Sequence, residues 1–219
     1  MKDLQIRTIW GILFVIVLTG VILLSPYTFA TLFLLISVFI LKEFYNLAVQ
    51  AGYSPQIFPG LLTGGIIFIL SFLLATNAIA AKSLYLFLIV FFLFPICELY
   101  RKKETPIANI GVTAFGILYV SIPLSILNFI VFPGTVANTG YDYSILISLF
   151  VFLWANDSGA YLFGVRFGRH WLFERISPKK SWEGLFGGLI TAIVAACILS
   201  VVFPQYSLSF MAIIALVTV

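Results

Sequence analysis

The chain has 219 residues, of which 62% are hydrophobic and 9% charged, with a formal net charge of +4 and a mean hydropathy of +1.15. A water-soluble domain is about half apolar and a quarter charged, so these values exclude a soluble fold. The bilayer is the solvent, and the chain reads as an all-α, polytopic transmembrane helical bundle.

The N-terminus, MKDLQIRTIW, resembles the basic flank of a signal sequence. The apolar run behind it has no small-residue cleavage site and passes straight into another span, which predicts a retained first helix. Spans are expected at 8–24, 27–46, 57–76, 83–98, 107–131, 144–164, 183–203 and from 207 onward. The breaks carry turn chemistry: Ser25-Pro26, Gly52-Tyr53-Ser54-Pro55, Thr76-Asn77, RKKETP at 101–106, Pro133-Gly134 and Phe203-Pro204. These make one transmembrane domain over 1–219 of about eight spans. The last has only 13 residues before Val219, too few to cross, so it is expected to be incomplete. Cys97 and Cys197 both lie in apolar runs and read as buried small hydrophobes, with no disulfide or metal spacing.

Lysine and arginine placement predicts the orientation, because short basic loops stay in the cytoplasm. With the N-terminus inside, Lys2, Arg7, Lys42, Arg101, Lys102, Lys103, Arg166, Arg169, Arg175, Lys179 and Lys180 are cytoplasmic, and only Lys82 is outside.

Eight of the chain's 20 charged residues fall between Asp157 and Glu183, in the stretch NDSGAYLFGVRFGRHWLFERISPKKSWEGLFGG at 156–188. Asp157 lies about a dozen residues into the sixth span. An ionised carboxylate there needs a basic partner, a cation or a water-filled cavity. The residues leave open a packing pair, a metal ligand and an acid–base group. In ISPKKSWEG, Ser177 is suited to an N-cap and Pro178 to the first helical position. A helix starting there would set free N–H groups beside Lys179 and Lys180, as an anionic phosphate requires. The competing reading is that the two lysines anchor the span by snorkelling to headgroups. Gly159, Gly164 and Gly168, with Gly184, Gly187 and Gly188, predict close packing of spans six and seven, which would keep Asp157 near the lysines. His170 reads as an exposed interfacial residue. Lys42-Glu43 and Glu98 with Arg101-Lys102-Lys103 read as interfacial charge pairs and topology anchors. No soluble-type nucleotide loop, Cys/His cluster or serine-hydrolase elbow occurs in the sequence.

The pairing of Asp-Ser-Gly-Ala-Tyr at 157–161 with Ser-Pro-Lys-Lys-Ser-Trp-Glu-Gly at 177–184 resembles the signature of bacterial phosphatidate cytidylyltransferases, the CDP-diacylglycerol synthases. The resemblance runs over about 33 residues of this chain, and the hydrophobic layout suits that family from end to end. It implies transfer of a cytidylyl group from CTP to phosphatidate, with Mg2+, in phospholipid biosynthesis at the bacterial cytoplasmic membrane. CTP and phosphatidate are the implied substrates in a membrane-lipid setting. No nucleic-acid partner is expected, and a homodimer is left open. On this reading Asp157 helps hold Mg2+, Lys179 and Lys180 hold phosphates, and Glu183 and Ser177 shape the site. Ser158, Arg166 and Arg169 join Ser177 as substrate-binding candidates. The family's second, C-terminal signature, a Lys-Asp run followed by His-Gly-Gly and Asp-Arg, is absent from the chain. The expectation is therefore of an incomplete chain, inactive by itself. The rival readings are a CTP-dependent lipid-alcohol kinase of polyprenol or phytol type and a secondary transporter with Asp157 as its ion site. The latter normally shows paired repeats, which this sequence lacks.

Overall fold

The computed structural model describes residues 2–80, 82, 85–133, 140–173 and 177–219. Gly134, Glu174 and Arg175, and the side chains of Lys2, Arg7 and Lys179, lie outside the described residues. Helices α1 (Lys2–Leu24), α2 (Pro26–Gln50), α3 (Ile57–Ala75) and α4 (Tyr85–Arg101) come first. Helix α5 (Pro106–Gly116) then runs through a π turn at Ile117–Ser121 into α6 (Ile122–Val131). Helices α7 (Ser144–Phe167), α8 (Trp182–Val202) and α9 (Leu208–Thr218) follow. With α5 and α6 forming one segment, the described residues make eight helical segments at the positions the sequence predicts, and the all-α polytopic expectation holds.

Five of these segments are long and apolar enough to cross a membrane, namely α2, α3, α5 with α6, α7 and α8. Large apolar side chains remain uncovered, among them Phe58 at 77% and Val201 at 80% exposure. That pattern suits lipid as the surrounding medium. The chain is a multi-pass membrane protein, and its helices gather into two compact units, Met1–Tyr143 and Ser144–Val219.

In the first unit, Ser25 caps α2 by accepting a hydrogen bond from the Tyr27 amide at 3.2 Å, and Pro26 occupies the first turn. The apolar core gathers Leu41, Tyr45, Phe94, Ile117 and Val120. One end of this unit is polar. Glu98, read from the sequence as an interfacial charge, is only 3% exposed. Its Oε2 accepts from Arg101 at 2.7 Å and Gln56 at 2.8 Å, and its Oε1 accepts from Asn109 at 2.8 Å. A carboxylate withdrawn from water persists only when its lone pairs are met in this way. Arg101 also donates to the carbonyls of Ser54 at 2.9 Å and Pro55 at 3.2 Å, which ties the α2–α3 loop to the end of α4. The i,i+3 pair explains why α4 runs to Arg101, three residues past the expected end of the span.

In the second unit, α7 and α8 pack closely through the glycines the sequence singled out. A Cβ on Gly159 would collide with Thr191 and lie 2.8 Å from the Gly187 carbonyl. One on Gly184 would lie 2.9 Å from the Ala160 carbonyl. The Thr191 hydroxyl donates across the pair to Ala155 O at 2.9 Å. Phe152, Ala192, Ala195, Ala196, Leu199, Met211 and Ala215 form the core beneath. Small residues at such a seam let backbones approach and dispersion contacts accumulate. Gly159→Ala is therefore expected to destabilise the protein by about 1–3 kcal/mol through overpacking. Gly111→Ala, at a position with nothing within 4 Å, is expected to be neutral or slightly stabilising. Thermal denaturation of both variants in detergent checks the contrast.

Candidate active site

Beyond α7 the chain turns at Gly168–His170, forms strand β1 (Trp171–Phe173) and returns along β2 (Ser177–Ser181) before entering α8. The strands are antiparallel, with Trp171 opposite Ser181 and Phe173 opposite Ser177. Two steps on β1 thus face four on β2, an irregular register in the strand that carries Pro178, which has no N–H to give the ladder.

This corrects the expected helix start. Ser177 and Pro178 lie in a strand, and the N-cap of α8 is Ser181, whose backbone is extended at φ −120° and ψ 156° and whose hydroxyl accepts from the Gly184 amide at 3.2 Å. The Trp182 amide is also taken, by His170 O at 2.9 Å. Two of the four N–H groups a helix start normally leaves open are thus already used. A phosphate here would meet the lysine side chain rather than a free helix terminus.

Glu183 spans the turn. Its Oε1 lies 2.7 Å from His170 Nδ1, and its Oε2 accepts from the His170 amide at 3.3 Å. The histidine side chain is 78% exposed, as the sequence suggests, but it is fastened at one ring nitrogen. Glu183 therefore holds the hairpin to α8 and does not line the cleft.

A cleft of about 480 Å³ opens between α7, the hairpin and the start of α8. Asp157 and Lys180 both line it, with Asn156, Tyr161 and Ser181 as polar company and Leu172 and Leu185 as apolar wall. Among the described residues neither Asp157 nor Lys180 has an ion pair. Opposite charges thus face one cavity without neutralising each other there. Lys179 neighbours Lys180 on β2, its side chain lying outside the described residues. Ser158, Arg166 and Arg169 are exposed but do not line the cleft, and the Arg166 guanidinium lies 5.8 Å from the centre of the Phe167 ring. Ser177 stands at the far end of β2 from Ser181.

Among the described residues no three His, Cys, Asp or Glu side chains converge as a complete metal cage. One hard carboxylate on a roomy cleft that also holds Asn156, Tyr161 and Ser181 still fits Mg2+, which takes one or two carboxylates and completes its shell with water and phosphate oxygens. Asp157 could hold such an ion together with an anionic ligand.

The family model for the cytidylyltransferase family matches residues 5–219. The chain belongs to the cytidylyltransferase family. Among its relatives, the phosphatidate cytidylyltransferase of Haemophilus influenzae is 54% identical over 25% of this chain and 19% of its own length. That of Staphylococcus haemolyticus is 25% identical over 90% of this chain and 72% of its own length. That of Mycobacterium bovis is 34% identical over 42% of this chain and 28% of its own length. No solved structure gives a significant match.

Sequence reading missed Tyr161, Leu172 and Leu185 as parts of this cleft. Tyr161 had a signal, since i,i+4 spacing on a helix sets it over Asp157. The two leucines had none, because only the hairpin brings Leu172 beside the first turns of α8.

Proposed function

We propose that this member of the cytidylyltransferase family transfers the cytidylyl group of CTP to phosphatidate, forming CDP-diacylglycerol and pyrophosphate. The observation that carries the reading is the single cleft lined by Asp157 and Lys180, in a chain whose relatives bear the name phosphatidate cytidylyltransferase. A phosphomonoester oxygen of phosphatidate attacks the α-phosphorus of CTP. One P–O bond forms, the bond to the bridging oxygen breaks, and pyrophosphate departs. Two anions must meet for this, so catalysis depends on positioning and charge neutralisation. Lys180 supplies a positive charge at the cleft mouth where phosphate charge gathers. Leu172 and Leu185 give an apolar wall suited to the glyceride end of a lipid. Mg2+, if held here, would supply positive charge to neutralise the reacting phosphates. Asp157 is the residue placed to hold it.

The basic loops support an orientation with the N-terminus and this cleft on the cytoplasmic side of the bacterial inner membrane, where CTP is available. Membranes carrying the protein as its gene encodes it, incubated with phosphatidate and CTP labelled at either the α- or the γ-phosphate, test the reaction. Label from the α-position alone should enter the lipid. Label from the γ-position would mark a lipid kinase and overturn the proposal.

A further inference from the structure

A second polar cleft, of about 440 Å³, lies wholly within the first unit and is lined by Gly52, Ser54, Lys102, Lys103, Thr105 and Asn109, with Glu104 also at its wall. Four helix ends meet around it: the C-termini of α2 and α4 and the N-termini of α3 and α5. In a membrane protein, helix ends of this kind mark the depth of the lipid headgroups. The cleft is built on a fixed floor. Asn109 is fully buried, its Oδ1 accepts from the Ser54 amide at 2.9 Å, and its Nδ2 donates to the buried Glu98.

The cations divide into two kinds. Arg101 is spent within the protein, on Glu98 and on the carbonyls of Ser54 and Pro55. Lys102 and Lys103 are exposed and, among the described residues, have no ion pair. Lys102 is held at φ +51°, a left-handed backbone that a lysine adopts only when its surroundings impose it. The neighbouring hydrogen bonds of Arg101 are such surroundings. Two adjacent lysines thus line the cleft over a hydrogen-bonded floor.

From this we infer that this cleft of the first unit binds the phosphate of an anionic phospholipid headgroup. The lysines supply charge, the Ser54 and Thr105 hydroxyls supply polar contacts over the Asn109 floor, and the depth at the helix ends presents a headgroup rather than an acyl chain. The inference does not depend on the cytidylyl-transfer reading.

The test uses the protein as its gene encodes it, purified in an uncharged detergent and titrated by calorimetry with dihexanoyl-phosphatidylglycerol and, separately, with inorganic phosphate. The doubly substituted Lys102→Ala, Lys103→Ala protein should bind the lipid about 10- to 30-fold more weakly, at roughly 1 kcal/mol per lysine. A charge-matched Lys42→Ala, Lys82→Ala protein should bind as the unchanged protein does, and Lys102→Arg, Lys103→Arg should retain binding. Equal lipid affinity in the Lys102→Ala, Lys103→Ala protein overturns the site. Equal loss in the charge-matched control reduces it to unspecific attraction and also overturns it. Inorganic phosphate binding as tightly as the lipid would identify a free-phosphate site and overturn the headgroup assignment.

Discussion

Asp157→Asn is expected to lower cytidylyl transfer roughly 1,000-fold, corresponding to about 4 kcal/mol of lost charge stabilisation if Asp157 holds the metal. The substitution keeps size but replaces with a neutral amide the one acidic side chain that lines the cleft among the described residues, where Glu183 is engaged with His170. Asp157 is exposed on α7, so the loss should come without unfolding. Mn2+ binding, followed by its paramagnetic resonance signal in the presence of CTP, should weaken in parallel. Full Mn2+ binding with low turnover would instead make Asp157 an acid–base group. Unchanged turnover would remove it from the site altogether.

Lys180→Ala is expected to cost roughly 100-fold or more in kcat, the scale seen when one preorganised donor to developing oxyanion charge is removed. Lys180→Arg should recover part of this, since the charge returns with different geometry. Removing Lys179 together with Lys180 should abolish most of what remains. Near-normal activity of the doubly substituted Lys179→Ala, Lys180→Ala protein would make the two lysines interfacial anchors only. The measurement is steady-state transfer of α-phosphate label, with KM for CTP and for phosphatidate determined separately. A ground-state contact would raise KM, whereas a contact made only in the transition state lowers kcat.

The spans were legible in the sequence because length and apolar content alone decide what crosses a bilayer. The α7–α8 seam was legible for a similar reason: glycines at helical spacing leave few alternatives to close packing. The start of α8 was not. Ser177-Pro178 and Ser181-Trp182-Glu183 are both plausible helix openings by local chemistry. What separates them is tertiary: the Trp182 amide on His170 O and the Glu183 carboxylate on His170 draw the second serine into the cap and leave the first in a strand. Glu183, expected from the resemblance to shape the site, is bonded to His170 and so braces the hairpin that presents Lys180. The polar floor under Lys102 and Lys103 was hidden as well. Gln56, Glu98 and Asn109 come from three different helix ends, and no local pattern announces that they will share hydrogen bonds.

The central claim is that the cleft between α7, the hairpin and the start of α8 receives the phosphates of CTP. Photo-crosslinking with an azido-CTP, followed by peptide mapping, tests it most directly and does not depend on turnover. Adducts should fall within Ser144–Val219, disappear with excess CTP and drop sharply in Lys180→Ala. Adducts confined to Met1–Tyr143, or equal labelling of the Lys180→Ala protein, would contradict the claim.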